Sequence, residues 1–265
     1  MNQSSKYEPL IQSMIKNDIF SSLGIAHSAA LYVQQNEPLS VRGFAKMNTV
    51  VTSLSGIIRT MLILNDIIEN ENSEKPPVLR MDYCSIDSFF GSIVRELNHL
   101  FAGGVDAEFK YISKLDKNRT FYININTIER IIYGLIYCFV KNLSETDKKE
   151  IKITFDEGSD KIKNYIVTIT AGGKPIDKKY ADIFKIKKEV YVDYFDIDSI
   201  NLYNINEIAK SILGSIKYVN TKTMNKFIFT FPHLTGLDGG EIKEVIDYTP
   251  NIDLMRIYFC DLISM

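Results

Sequence analysis

The side chain best suited to nucleophilic chemistry is the imidazole of His27. It is the only histidine in a first helical stretch that runs from about residue 10 to residue 35. A neutral imidazole is available near physiological pH and is a good nucleophile. His99 and His233 lie elsewhere, and we expect both to be incidental. His27 is therefore the one catalytic candidate, and an ordinary place on a helix face is the alternative.

Metal chemistry is not indicated by the sequence. Cys84, Cys138 and Cys260 are far apart and form no CxxC pair or Cys/His cluster, so neither a zinc site nor a disulfide framework is expected. The acidic runs DEGSD and DYFDID lack the spacing of a calcium-binding loop, and we interpret both as solvated loops. We accordingly predict no metal site.

Composition limits the kind of partner. The 265 residues include 31 basic and 33 acidic side chains, a net charge of −2, so electrostatics predicts no nucleic-acid partner. The hydrophobic fraction of 45% is that of a globular protein. The longest uninterrupted apolar run is too short for a membrane helix, and the first residues lack a signal-peptide core. We therefore expect a cytoplasmic protein with no direct membrane insertion.

The elements that must position His27 form a helical hairpin. The sequence NEPLS at 36–40 interrupts the first helix, and a second helix is predicted from about 41 to 70. Apolar residues of the second helix fall at positions 50, 54, 57, 61, 64 and 68, and a parallel set falls at 51, 54, 58 and 61. Two adjacent stripes suit a four-helix bundle. Because one chain supplies two helices, we expect a homodimer.

A mixed α and β region follows the breaker SEKPP at 73–77. Helices are predicted at 84–101, 126–142, 177–184 and 199–213. Alternating apolar residues predict strands in AEFKYI, TFYINI, EIKITF, NYIVTIT, SIKYV and KFIFTF. We place the domain boundaries at 1–74, 75–233 and 234–265.

This order of elements resembles the core of bacterial sensor histidine kinases. INTIERIIYGLIYCFVK looks like the helix with that family's asparagine box, and VTITAGGKPIDKKYADIF is similar to its first glycine box. NEIAKSILGSIKYVNTKTMNKFIFTFP resembles its last helix and closing strands. The resemblance implies an α+β fold: a dimerisation hairpin, a four-helix bundle in the dimer, followed by a Bergerat-type ATPase-like sandwich.

The resemblance also shows which nucleotide-binding residues are missing. Aligned on Lys141, the two asparagines of the box are replaced by Cys138 and Gly134, and a thiol is a poor ligand for magnesium. Ala171 stands where the family's adenine-binding aspartate is expected, and the stretch 198–206 contains no lid glycine. We expect ATP and magnesium binding to be weak or absent, with no other cofactor.

His27 fits the family's phosphoacceptor histidine imperfectly. Ser28 stands where the family has an acidic residue, and family spacing would place the acceptor nearer Ser21 or Ser22. Three hypotheses remain open. The first is a pseudokinase that binds a response regulator receiver domain or another kinase. The second is an ATP-independent histidine phosphotransferase, and the third is a divergent active histidine kinase.

The C-terminal region extends beyond the resemblance. Its segment NIDLMRIYFCDLI is apolar enough to require burial. We expect residues 234–265 to add a strand or a helix that packs on the ATPase-like domain or on a partner.

Overall fold

The N-terminal part of the chain folds as two long helices. The computed structural model describes residues 14–35, 41–72, 81–102, 107–115, 119–142, 149–158, 164–185, 197–233 and 245–263. A π-helical turn, Met14–Ile19, leads into α1, Phe20–Gln35, and α2 is Val41–Asn72. The predicted breakers, the start of the first helix and the region 234–244 lie outside the described residues.

The hairpin buries one stripe and leaves another exposed. Small side chains let the two helices approach closely, since Ala26 and Ala29 of α1 are almost fully buried, as are Ile57 and Ile63 of α2. A second set on α2 is 41–58% exposed and follows steps of three and four residues: Phe44, Met47, Val51, Leu54, Ile58 and Met61. This spacing is the heptad pattern of a helix bundle.

Two sheets form the core of the second region. β1, Asp82–Ser85, pairs antiparallel with β3, Thr120–Ile123. The larger sheet has the order β2-β4-β5-β7-β6, in which only the β2–β4 pair is parallel. Its strands are β2, Ala107–Ser113; β4, Lys149–Glu157; β5, Asn164–Gly172; β6, Ser215–Asn220; and β7, Met224–Pro232. Every second residue of β5 and β7 is buried, as expected for a sheet covered on one face.

Helices cover that buried face. They are α3, Ile86–Phe101; α4, Ile125–Asn142; α5, Lys178–Ile183; and α6, Ile197–Ser211. All ten residues from 131 to 140 in α4 are buried, because other elements surround this helix. An aromatic group joins helix and sheet: Phe89, Phe90, Phe121, Phe155 and Tyr165.

The predicted order of elements is confirmed, with one local correction. The helix predicted from residue 84 starts at Ile86, because Cys84 and Ser85 belong to β1. The Ser85 hydroxyl accepts a hydrogen bond from the Ser88 N–H and so caps the helix. The sequence CSIDS gave no alternation from which this short strand could have been recognised.

The C-terminal region forms both a strand-like bridge and a helix. The Ile246 N–H donates to the Tyr83 carbonyl, which places Ile246 beside Cys84 of β1. Asn251 caps α7, Ile252–Phe259. This helix contacts α2, α3 and α4 and buries Met255, Tyr258 and Phe259. The region therefore packs on the hairpin and on the ATPase-like domain at once.

Candidate functional site

The first candidate site is the junction between α4 and α6, which carries the residues aligned with the asparagine box. Lys141 near the end of α4 forms an ion pair with Asp198 at the start of α6, with 2.8 Å between Nζ and Oδ2. The same ammonium group donates to the Tyr137 hydroxyl at 2.9 Å. The lysine is thus held by protein groups on the two helices that border this site.

Cys138 lies buried on α4, and its surroundings are those of a core residue. The Asn142 side-chain amide donates to the Cys138 carbonyl at 2.9 Å and reaches its sulfur at 3.8 Å. Within the described ranges, no group of three His, Cys, Asp or Glu side chains is arranged to hold a metal ion. Cys138 therefore packs where the resemblance expects a metal-binding amide.

Gly134 shows how tightly α6 packs on α4. A Cβ atom built at Gly134 would lie 1.9 Å from Cδ1 of Ile205. A real Cβ atom is essentially never found so close to another atom, so any larger residue at position 134 would require the terminal methyl group of Ile205 to move. An asparagine could stand at this position only if α6 moved or Ile205 changed its rotamer.

Ala171 and the glycine turn form the opposite side of the site. Ala171 is buried and paired with Ile151 on β4 and Asn225 on β7. Gly173 has φ 116°, a conformation that side chains rarely adopt, which explains the glycine. The turn is built as predicted, but a methyl group replaces the carboxylate that the resemblance expects.

Asn225 holds this turn, and the sequence analysis did not identify it. Its side-chain oxygen accepts hydrogen bonds from the Ile176 N–H at 3.2 Å and from the Tyr218 hydroxyl. Its amide donates to the carbonyl of Lys174 at 2.9 Å. Asn225 is fully buried, and a polar residue at a buried position of the alternating strand MNKFIFTF was the available signal.

His27 lies on the surface of α1 and is exposed. It follows the exposed Phe20 and Leu23 at steps of three and four residues, so it belongs to an exposed stripe of the hairpin. Its neighbour Ser28 is also exposed. His99 is exposed on α3 and His233 stacks edge-on against Tyr165, with ring centroids 4.7 Å apart. The three histidines are not brought together.

A charged junction that the sequence did not predict joins the hairpin to the rest of the chain. We call Arg59, Tyr137, Lys141, Asp198 and Asp261 the latch cluster. Arg59 of α2 binds the Asp261 carboxylate at 2.9 Å and the Tyr258 carbonyl at 2.9 Å. Its guanidinium lies 4.8 Å from the centre of the Tyr137 ring, and the Tyr137 hydroxyl donates to Asp261 at 2.8 Å.

The electrostatics of the latch cluster favour its charged state. Burial alone would raise the pKa of Asp261, but the charge and hydrogen bonds of Arg59 outweigh burial and lower it. Burial raises the pKa of Tyr137, so the phenol keeps the proton that it donates to Asp261. At neutral pH the cluster therefore contains an ionised carboxylate beside a charged guanidinium.

A second buried carboxylate holds the C-terminal region to α4. Glu129 is 1% exposed, and one of its oxygens accepts hydrogen bonds from the Tyr248 hydroxyl, the Tyr133 hydroxyl and the Asn251 N–H. Burial raises the pKa of Glu129, although these three donors act in the opposite direction. Its other oxygen is buried without a hydrogen-bond partner among the described residues.

Two cavities lie away from the residues aligned with the nucleotide boxes. A largely apolar cavity of about 200 Å³ lies at the ends of β3, β7 and α6 and is lined by Tyr122, Ile128 and Leu213 among others. A wider groove of about 590 Å³ runs between α2 and α7, beside Val51 and Arg256. Neither is lined by Cys138 or Ala171.

Comparison with solved structures defines the class of fold. The chain superposes on the Acinetobacter baumannii histidine kinase AdeS with a TM-score of 0.57 and 14% identity, over 84% of this chain and 98% of that one. The chain therefore has the fold of a sensor histidine kinase core, a helical hairpin followed by an ATPase-like α/β domain. No protein-family model and no curated protein sequence matches it.

Two further structures are similar at lower scores. The catalytic domain of histidine kinase ThkA gives a TM-score of 0.45 with 18% identity, over 58% of this chain and 97% of that one. A structure described as a bacterial phosphotransferase gives 0.48 with 13% identity, over 86% of this chain and 98% of that one.

One helical segment is long and apolar enough to cross a membrane. Gly43–Asn65 of α2 has a mean hydropathy of 1.4 in its most apolar window, although its longest unbroken apolar run is short. The segment contains Arg59, whose guanidinium is bound by Asp261. It also packs against α1 and α7. One side of the segment therefore packs within the protein, and the other side is exposed.

Proposed function

We propose that this chain is a histidine-kinase-like signalling protein, a pseudokinase that acts by binding partners rather than by transferring phosphate from ATP. The observation that carries the proposal is the contact between Gly134 and Ile205, where α6 fills the place of an asparagine-box side chain. Cys138 and Ala171 add two positions that lack the oxygen ligands expected for magnesium and adenine. The scaffold is kept while its nucleotide-binding groups are replaced.

Nucleotide binding tests this proposal directly. We expect that millimolar ATP with magnesium produces no heat of binding and no rise in unfolding temperature, because only ligands of the native state stabilise it. Labelled ATP should leave no phosphate on the protein. Titrations without magnesium provide the control, since binding that depends on magnesium would indicate a working site. Autophosphorylation would contradict the proposal and favour a divergent active kinase.

The proposal includes a homodimer formed through the hairpin. The exposed stripe of α2, from Phe44 to Met61, follows heptad spacing, and Phe20 and Leu23 extend the apolar surface onto α1. Two such faces would complete a four-helix bundle and remove this surface from water. Light scattering on the purified chain should give twice the mass of 30.3 kDa.

The proposed partner is a response regulator receiver domain or another histidine kinase, bound on the hairpin. We propose the hairpin because α1 exposes Ile25 and His27 in addition to the side chains assigned to the dimer. The α4–α6 junction, by contrast, is closed by Ile205 and by the Lys141–Asp198 ion pair. Binding of purified receiver domains to the chain, measured by titration, tests this assignment. A receiver domain that bound the ATPase-like part alone would contradict it.

The exposed imidazole of His27 supports a second candidate function, ATP-independent phosphotransfer. In this reaction the imidazole would accept a phosphoryl group from a phosphorylated receiver domain and pass it to another. Phosphate transfer from a labelled receiver to the wild type but not to His27→Ala would establish this function. If the receiver is phosphorylated but transfers no phosphate to the wild type, phosphotransfer is excluded and the binding function remains.

We propose a cytoplasmic location. Cys84, Cys138 and Cys260 are buried and none of them forms a disulfide, as is typical of a reducing compartment. Fractionation of cells that express the chain tests this, because membrane insertion through Gly43–Asn65 would place it in a fraction that only detergent releases.

A further inference from the structure

We propose that the C-terminal segment 245–263 is a strap that couples the hairpin to the α4–α6 junction. In this proposal, one network of contacts holds the hairpin on the ATPase-like domain and keeps the α4–α6 junction closed. The inference does not rest on the proposed signalling role, because it concerns how contacts within one chain are coupled.

The hairpin end of the network is Arg59. Its guanidinium makes a two-pronged contact with Asp261, at 2.9 and 3.4 Å, and donates to the Tyr258 carbonyl. Arg59 is only 12% exposed, so water competes weakly for these hydrogen bonds. Loss of Asp261 would leave the Arg59 guanidinium poorly solvated.

The network continues from Asp261 into the α4–α6 junction. Tyr137 donates to Asp261, Lys141 donates to Tyr137, and Lys141 pairs with Asp198 at the first turn of α6. The carboxylate that binds the hairpin therefore also orients the tyrosine and lysine that hold α6. Release of Asp261 would remove a support from Lys141 and hence from the start of α6.

A separate anchor keeps the strap on α4 when the latch cluster is broken. Glu129 binds Tyr248 and Asn251, the residues that precede and cap α7, and Ile246 is bonded to β1. Residues 246–251 of the strap are thus bound to Glu129 and to β1, whereas its other end is bound through the charged side chain of Asp261. We infer that the charged end opens first, because its groups are more exposed than Glu129.

The experiment compares Asp261→Asn with Asp253→Asn in the full chain. Both variants remove one carboxylate from the same region, but Asp253 is exposed and takes no part in the latch cluster. Hydrogen exchange should accelerate in α7 and in the first two turns of α6 of Asp261→Asn by about tenfold or more, the effect expected for loss of a charged hydrogen bond. The Asp253→Asn variant should match the wild type.

Distances between the two domains give a second readout. Nitroxide labels at Ser28→Cys on α1 and Lys217→Cys on β6 occupy exposed positions, while the native cysteines are buried. Mixing the labelled chain with an excess of unlabelled chain ensures that the measured distance joins two labels within one chain, even if the chains form a dimer. A narrow distribution is expected in the wild type and a broadened one in Asp261→Asn.

An Arg59→Gln variant keeps the inference falsifiable if Asp261→Asn folds poorly. This substitution removes the contact between the hairpin and Asp261 but leaves Asp261 beside Tyr137. The distribution of distances between the labels at positions 28 and 217 should therefore broaden. Hydrogen exchange in α6 should change less than it does in Asp261→Asn. Unchanged exchange of β5 amides confirms that each variant is folded. The inference is overturned if both variants keep a narrow distribution, or if α7 is released while α6 exchange stays at the wild-type rate.

Discussion

The hairpin and the ATPase-like domain differ in what they do with apolar surface. Of the 16 large apolar side chains that are exposed among the described residues, 11 lie between Ile15 and Met61. The ATPase-like domain is larger, yet it fills its interior with aromatic rings and closes its α4–α6 junction with Ile205. An exposed, periodic surface of this kind indicates a protein partner.

A comparison of folds alone does not reveal this difference between the two regions. The similarity to AdeS covers hairpin and ATPase-like domain together and describes the backbone. The side chains distinguish two parts of this backbone: the hairpin exposes an apolar surface, and the ATPase-like domain packs its apolar side chains into a core. Function therefore has to be argued from the side chains.

Of the substitutions considered, charged residues on the exposed stripe of α2 should have the largest effect, because they should prevent dimer formation. In a Leu54→Glu, Ile58→Glu variant, the proposed dimer would have to bury two unpaired carboxylates from each chain, which costs several kcal/mol and weakens association by more than about a hundredfold. Analytical ultracentrifugation should show a dimer for the wild type and a monomer for the variant. Ala45→Glu, an exposed site away from the stripe, serves as the control. A variant that remained dimeric would disprove this interface.

A restored asparagine should destabilise the closed junction. Gly134→Asn places a side chain where Ile205 already lies, and overpacking of this kind costs about 1–3 kcal/mol. Thermal unfolding should show a lower midpoint, and Ile205→Ala should recover part of the loss in the double variant. Gly91→Asn is the matched control, because Gly91 also lies in a helix but has nothing within 4 Å of its built Cβ. Equal midpoints for the two asparagine variants would show that the junction has room.

The sequence predicted the elements far better than the junctions between them. Alternation in β5 and β7 and the apolar run in α4 identify these elements because each pattern is local. Arg59 and Asp261 are 202 positions apart, and nothing in either neighbourhood indicates the other. The burial of Glu129 was equally hidden in the sequence, because its charge suggests a solvated helix face. In the structure it is buried and accepts hydrogen bonds from Tyr248 and Asn251.

The candidate site was predicted only in part. Cys138, Gly134 and Ala171 could be assigned by aligning short motifs, and the structure places all three at buried positions. The packing of Ile205 into the Gly134 position depends on how closely two helices approach, which no motif encodes. Asn225 was detectable in principle, since its place in an alternating strand predicts a buried polar side chain.

The carboxylates of Glu129 and Asp261 should respond to pH with opposite signs. The pKa of Asp261 is lowered in the folded state, so its contribution is present above the ordinary aspartate range, near 4, and is lost as pH falls through the folded pKa. The pKa of Glu129 is raised by burial, so its contribution is greatest below the ordinary glutamate range, near 4.3, and is lost as pH rises through the folded pKa.

Unfolding midpoints measured from pH 8 to pH 3 for the wild type, Glu129→Gln and Asp261→Asn test this. The advantage of the wild type over Glu129→Gln should grow on acidification, because protonation removes a buried charge that glutamine never carries. Its advantage over Asp261→Asn should stay constant down to about pH 4 and then shrink. If both differences changed in the same direction, the two ends of the strap would not be electrostatically distinct.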